Sequence, residues 1–274
     1  MERTTKPRYE TKEARPQPEV RYAELMDEAL NMEPGALTSY SRLYDYSTTN
    51  KLYLAAQGCP FEPVATFNRW RDLNRHVTKG AKAYSIIRPI QVKRKDAEPD
   101  DENGTYTRFK PVRCIFPVSM TEGEPLPEID PATWSKERAL AALAIRQVAY
   151  ESFRNNSQGY SVRREFAINP VAAYPLKTTF HEIGHIELGH TAPGQHGEYR
   201  RHRGIKEFQA ESTAYLCMNE LGATDQFDAG ESRAYIRHWL RDQTPEDVAI
   251  RGVFKAVDSI IRAGREPGEL EVAS

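Results

Sequence analysis

Thr178-Thr179-Phe180-His181-Glu182-Ile183-Gly184-His185 carries the pattern HExxH, and the rest of the chain is organised around it. Pro175 suits the first turn of a helix, and Leu176, Phe180, Ile183 and Ile186 repeat as a buried face, so the stretch reads as helical. Two histidines four residues apart leave the same side of a helix about one turn apart. His181 and His185 are therefore expected to bind one metal ion, a single Zn2+ per chain. Glu182 points at the same region and is the expected general base, acting on a water without itself binding the metal.

A catalytic zinc takes three protein ligands and leaves a position for water. The downstream candidates are His190, His196, His202, Glu207 and Glu211. On a continuing helix His190, five residues past His185, is rotated off the ligand face, and it misses the HExxHxxGxxH spacing by one residue. Glu211 lies in Ala210-Glu211-Ser212-Thr213-Ala214-Tyr215, on a helix read over 206–221. A carboxylate on an inward face needs a partner, and a metal supplies one. Glu211 is the expected third ligand, with Glu207 and the loop histidines as alternatives. Tyr215, Tyr199 and His202 are the candidates for stabilising an oxyanion.

The chain of 274 residues suggests about two domains. Its net charge of −1 means that nucleic-acid binding must come from local clustering. Cys59, Cys114 and Cys217 lie far apart, forming neither a disulfide framework nor a CxxC zinc knuckle. No run approaches the roughly 18 apolar residues that span a bilayer, so no membrane partner is expected. The N-terminus lacks the apolar core of a signal peptide, and a cytoplasmic location follows.

Residues 1–19 are charged and proline-bearing and read as a flexible arm. A small α+β domain is expected over 20–120, with helices near 20–30, 47–57 and 67–75 and a hairpin of strands 84–92 and 106–119. Residues 121–133 read as a linker, 134–265 as a mostly helical domain with a small sheet, and 266–274 as a tail. Within the second domain a long helix is expected from Trp134 to Phe153, then a strand over 160–169. From Val64 to Lys95 nine basic residues face the single acid Asp72, with aromatic rings interleaved. Cations with rings between them are what a single-stranded nucleic acid needs, because phosphates are attracted and any base can stack. The candidate contacts are Asn50, Lys51, Arg69, Trp70, Arg71, Arg75, Lys79, Lys82, Tyr84 and Arg88. Burial of Trp70 and Phe67 in a core, with the charges as a solvated face, is the competing reading.

Tyr46-Ser47-Thr48-Thr49-Asn50, the segment Phe67–Gly80, and Phe109-Lys110-Pro111-Val112 leading to Thr121-Glu122-Gly123 resemble the N-terminal domain of the ArdC-type antirestriction proteins. In order, with a downstream HExxH, these stretches cover the chain from about Arg21 to Leu221. The catalytic half is similar to the ImmA/IrrE type of metallopeptidase, whose HExxH helix is followed by a helix bearing a glutamate ligand; Glu211 and Tyr215 match that Glu and its aromatic. The resemblance implies a single-stranded-DNA-binding domain followed by a zincin-like, gluzincin-type zinc metallopeptidase domain. It also implies carriage by plasmids or phages, protection of incoming DNA from restriction, and an unknown protein substrate. The alternatives are a DNA-binding protection protein with a structural or inactive zinc site, and a protease that regulates a repressor.

Overall fold

The computed structural model describes residues 20–93, 105–126, 133–151, 157–194, 203–243 and 245–266. Helix α1 (Tyr22–Asn31) buries Leu25, Met26, Ala29 and Leu30 on one face. A 3-10 turn (Ala36–Arg42) follows Gly35, whose φ of 75° is a conformation that glycine adopts without strain. Helix α2 (Thr48–Ala56) starts where the Ser47 hydroxyl accepts the Asn50 N–H. Strand β1 (Val64–Thr66) leads directly into α3 (Phe67–Asp72), capped in the same way by Thr66.

Strand β2 (Arg75–Val77) is followed by the long hairpin of β3 (Tyr84–Lys93) and β4 (Thr105–Pro117). The antiparallel sheet runs β1-β4-β3, and β2 pairs separately with β5 (Thr121–Gly123). Pro89 lies on the edge strand β3, and β1 pairs only with Ile115, Phe116 and Pro117, so β4 is also an edge at Pro111.

Helix α4 (Lys136–Ala142) is far shorter than the amphipathic pattern over Trp134–Phe153 suggests. Ala144 turns to φ 51°, and the chain continues as β6 (Arg146–Gln147). Tertiary pairing overrides helical periodicity here: β6 lies parallel to β8 (Glu165–Ile168), which also pairs with antiparallel β7 (Gly159–Val162). The single strand expected over 160–169 is thus a hairpin, turned at Arg163 with φ 54°.

Helices α5 (Pro175–Glu187), α6 (Arg203–Glu220), α7 (Ala229–His238) and α8 (Asp247–Gly264) complete the chain. The fold is α+β with small sheets, as the sequence indicated. One apolar core joins both halves. Leu25, Met26, Leu52 and Tyr53 from the first helices pack with Phe180, Ile183, Phe208, Tyr215, Phe254 and Val257 of α5, α6 and α8. Beside that core, Lys51 and Glu220 form a buried ion pair at 2.6 Å, which Arg265 joins at 2.8 Å. Asp258 of α8 accepts the Thr48 N–H and hydroxyl at the start of α2. The arm at 1–19, residues 127–132 of the expected linker and residues 267–274 of the expected tail fall outside the described residues.

Candidate metal centre

Helix α5 begins at Pro175, whose missing N–H costs nothing at a first turn. Its contact with α6 is set by Gly184. A Cβ there would lie 3.3 Å from Thr213 and 3.5 Å from the Ala210 Cα, so the helices approach almost backbone to backbone. That crossing brings His181 and His185 against Glu207. The two Nε2 atoms are 3.2 Å apart, and Glu207 Oε2 lies 3.3 Å from His181 Nε2 and 3.7 Å from His185 Nε2. One ligand atom from each of the three residues falls within 4.8 Å of the others.

Glu211, the expected third ligand, is placed differently. Its Oε1 takes Lys177 at 2.8 Å and the Ser232 hydroxyl at 2.6 Å, while Oε2 lies 3.4 Å from His181 Nδ1. A buried carboxylate needs a partner, and Lys177 and Ser232 meet that need here. One turn separates Glu207 from Glu211, so both lie on the same face of α6. Burial would raise the Glu211 carboxyl, yet the hydrogen bond from His181 and the neighbouring Lys177 hold it down to about 2. Burial would likewise lower His181, but hydrogen bonds to Glu207 and Glu211 outweigh it and lift the imidazole to about 9.

The opposite side of the pair is held by a residue that the helical spacing removes from the ligand face. His190 Nδ1 lies 2.9 Å from His185 Nδ1, and its Nε2 lies 3.1 Å from Gln209 Oε1. Burial and the neighbouring His185 push His190 down to about 4. Each histidine of the pair therefore has its Nδ1 engaged from outside and its Nε2 turned inward, the arrangement by which carboxylates and other acceptors orient metal-binding imidazoles. Two imidazoles and one carboxylate converging in this way fit a divalent cation with an open position.

The centre opens into a cleft of roughly 580 Å3 bordered by β7, Lys177, Thr178 and Thr191. Glu182 lines it and accepts the Ser161 hydroxyl at 2.7 Å. Gly159 lets β7 run close to that carboxylate, since a Cβ would meet Glu182 Oε1 at 3.1 Å and the Ala167 carbonyl at 2.9 Å. Tyr215, an oxyanion candidate from the sequence, is buried in the core against Phe227 and is not among the cleft-lining residues. Tyr199, His202 and His196 lie outside the described residues.

The expected nucleic-acid contacts divide in two. Lys51 is buried against Glu220, and Asn50 bonds both the N–H and the carbonyl of Ile87. Trp70 is fully buried and donates to the Phe116 carbonyl, and buried Tyr84 donates to that of Gly58. Arg75 ties β2 to β5 through Thr121 and Gly123. These five hold the fold together instead of facing solvent. Arg69 is half-buried, while Arg71, Lys79, Lys82 and Arg88 are exposed. The hairpin adds residues that the basic run did not include: Tyr106, Arg108, Phe109 and Lys110 are exposed, with Lys110 paired across from Arg88.

Residues 27–118 match the family model described as the N-terminal domain of anti-restriction factor ArdC. The chain therefore carries, in its first half, a domain of the ArdC N-terminal kind. Its fold extends well past that domain. A metal-free crystal structure of the antirestriction ArdC protein from the R388 plasmid aligns over 89% of this chain and 94% of that one, with TM-score 0.53 at 19% identity. The Mn(II)-bound structure of the same protein aligns over 90% and 99%, with TM-score 0.54 at 19% identity. No curated protein matches in sequence. Among the described residues, no helix is long and apolar enough to cross a membrane.

Proposed function

We propose that this chain is a cytoplasmic antirestriction protein of a mobile element. In this reading it binds single-stranded DNA through its N-terminal half and cleaves a protein at a zinc centre of His181, His185 and Glu207. The observation that carries the enzymatic part is the convergence of both Nε2 atoms on Glu207 beside the Glu182 carboxylate, in an open cleft. The Mn(II)-bound relative supports a divalent cation, and a set of two histidines and one carboxylate is a common catalytic zinc set.

A cation held there supplies Lewis acidity to a peptide carbonyl and to the attacking water. The protein does the rest. Glu182, aimed by Ser161, takes the proton from water and returns it to the leaving amine. Strand β7 is the outer strand of its sheet and borders the cleft, so an extended peptide would pair along it as an added strand. Glu211 acts behind the centre, orienting His181. For DNA, exposed Arg71, Lys79, Lys82, Arg88, Arg108 and Lys110 attract phosphates, and the exposed rings of Phe67, Tyr106 and Phe109 stack on bases.

Glu182→Gln is the deciding variant. It keeps its metal and loses cleavage of a peptide library by at least about a thousandfold, in line with removal of a general base. Retained cleavage overturns the enzymatic reading. Protection of unmodified DNA by Glu182→Gln as good as that by the parent would show that protection comes from DNA binding alone.

A further inference from the structure

Gln209 sits on α6 between Glu207 and Glu211 yet reaches the far side of the histidine pair. Its Nε2 donates to the Ala249 carbonyl of α8 at 3.1 Å, which fixes the amide so that Oε1 faces His190 Nε2, also at 3.1 Å. Gly252 of α8 makes the room: a Cβ there would lie 3.4 Å from Gln209 Nε2 and 3.3 Å from Leu188. An amide oxygen only accepts, so His190 Nε2 carries a hydrogen. His190 is buried, and an imidazole with one hydrogen, already on Nε2, has a bare Nδ1. His185 Nδ1, 2.9 Å away, must be the donor, and a neutral His185 with its hydrogen on Nδ1 has a lone pair on Nε2. That nitrogen is the one facing His181 and Glu207.

We infer that Gln209 and His190 are positioning residues, a relay anchored on the Ala249 carbonyl that locks His185 in its Nδ1–H tautomer and keeps Nε2 available to a divalent cation. The inference rests on the metal reading above. The relay leaves α5 through His190, three residues past the end of the helix. It uses a second ring and a neutral amide on the His185 side, where Glu211 serves His181 directly. Outer-shell partners of this kind carry about 10- to 100-fold in metal affinity.

The test uses the full chain, 15N-labelled at histidine, with three variants. Gln209→Leu and His190→Leu remove the acceptors, while His190→Asn keeps an oxygen near the position of Nδ1. Nitrogen NMR of the metal-free protein is expected to show His185 with a protonated Nδ1 and a bare Nε2 in the parent and in His190→Asn, and mixed tautomers in the two Leu variants. Competition against a chelating dye is expected to show affinity for Zn2+ and Mn2+ falling about 10- to 100-fold in the Leu variants and recovering in His190→Asn. An Nε2–H tautomer in the parent, or unchanged affinity in Gln209→Leu, overturns the relay and leaves the metal site standing. A parent protein that binds neither cation overturns the metal reading instead, while the tautomer measurement still decides the relay.

Discussion

Glu207 and Glu211, one turn apart on α6, hold opposite edges of the same imidazole: Glu207 Oε2 is 3.3 Å from His181 Nε2 and Glu211 Oε2 is 3.4 Å from His181 Nδ1. The two carboxylates are alike in sequence context and unlike in task. Glu207→Ala is expected to abolish tight metal binding, because a third ligand goes. Glu211→Gln is expected to weaken it by about 10- to 100-fold, because only the orientation of His181 suffers. Titration of both variants with Zn2+ against a chelating dye checks the order; an equal or reversed loss would give the ligand role back to Glu211.

Metal binding should release a proton. In the metal-free protein His181 is raised to about 9, so it is protonated at neutral pH, and a cation must displace that proton. Apparent affinity is expected to climb with pH up to about 9 and to level off beyond. The sign for folding is opposite. A raised imidazole stabilises the metal-free fold fully below about 6.5 and loses that contribution as pH rises to about 9. Thermal unfolding across this range, with and without Zn2+, should show the metal-free curve falling.

Acid acts through Glu211. Its carboxyl, held down to about 2, contributes stability that is present above its ordinary value of 4.5 and is lost as pH falls toward 2. The acid limb of metal-free unfolding should therefore flatten in Glu211→Gln.

Gly159→Ala separates chemistry from metal. The added Cβ would press on the Ala167 carbonyl at 2.9 Å, on Thr178 at 3.0 Å and on Glu182 Oε1 at 3.1 Å. Overpacking of this sort costs about 1–3 kcal/mol and shifts the Glu182 carboxylate. Peptide cleavage is expected to drop at least tenfold while metal content stays the same. Parallel activity and metal assays would expose any loss of the centre itself.

Among the aromatic and basic residues of the first half, stability and DNA binding should part company. Trp70→Ala empties a fully buried site and is expected to cost about 3–5 kcal/mol in denaturant unfolding. Arg71→Glu with Lys79→Glu, both on exposed side chains, should leave stability unchanged and reduce the salt slope of single-stranded DNA binding. A salt slope as steep as the parent's would place the DNA elsewhere.

The HExxH helix, the α+β class and the basic hairpin are legible in sequence because each depends on local spacing. What the sequence leaves open is decided by contacts distant along the chain. Glu207 and Glu211 share a helix face, and only the crossing at Gly184 and the presence of Lys177 and Ser232 separate them. Trp70, Tyr84 and Lys51 carry types suited to a nucleic-acid groove, and their burial depends on Phe116, Gly58 and Glu220, which lie at least 26 residues away. The amphipathic run after Trp134 is helical by pattern, and its second half becomes β6 because β8 offers a parallel edge. Gln209 has no signal in its spacing; its role appears only once Ala249 and His190 flank it.

Lys51 and Glu220 meet inside the molecule, 169 positions apart, next to an apolar interior that both halves build. In this chain the segment before residue 120 is therefore packed into a core shared with the helices that follow it. Expressed by itself, a fragment ending near residue 120 would show water the inner sides of α1 and α2 and a lysine stripped of its counter-charge, so it should aggregate. Moving this head onto another protein calls for α6 and α8 to travel with it.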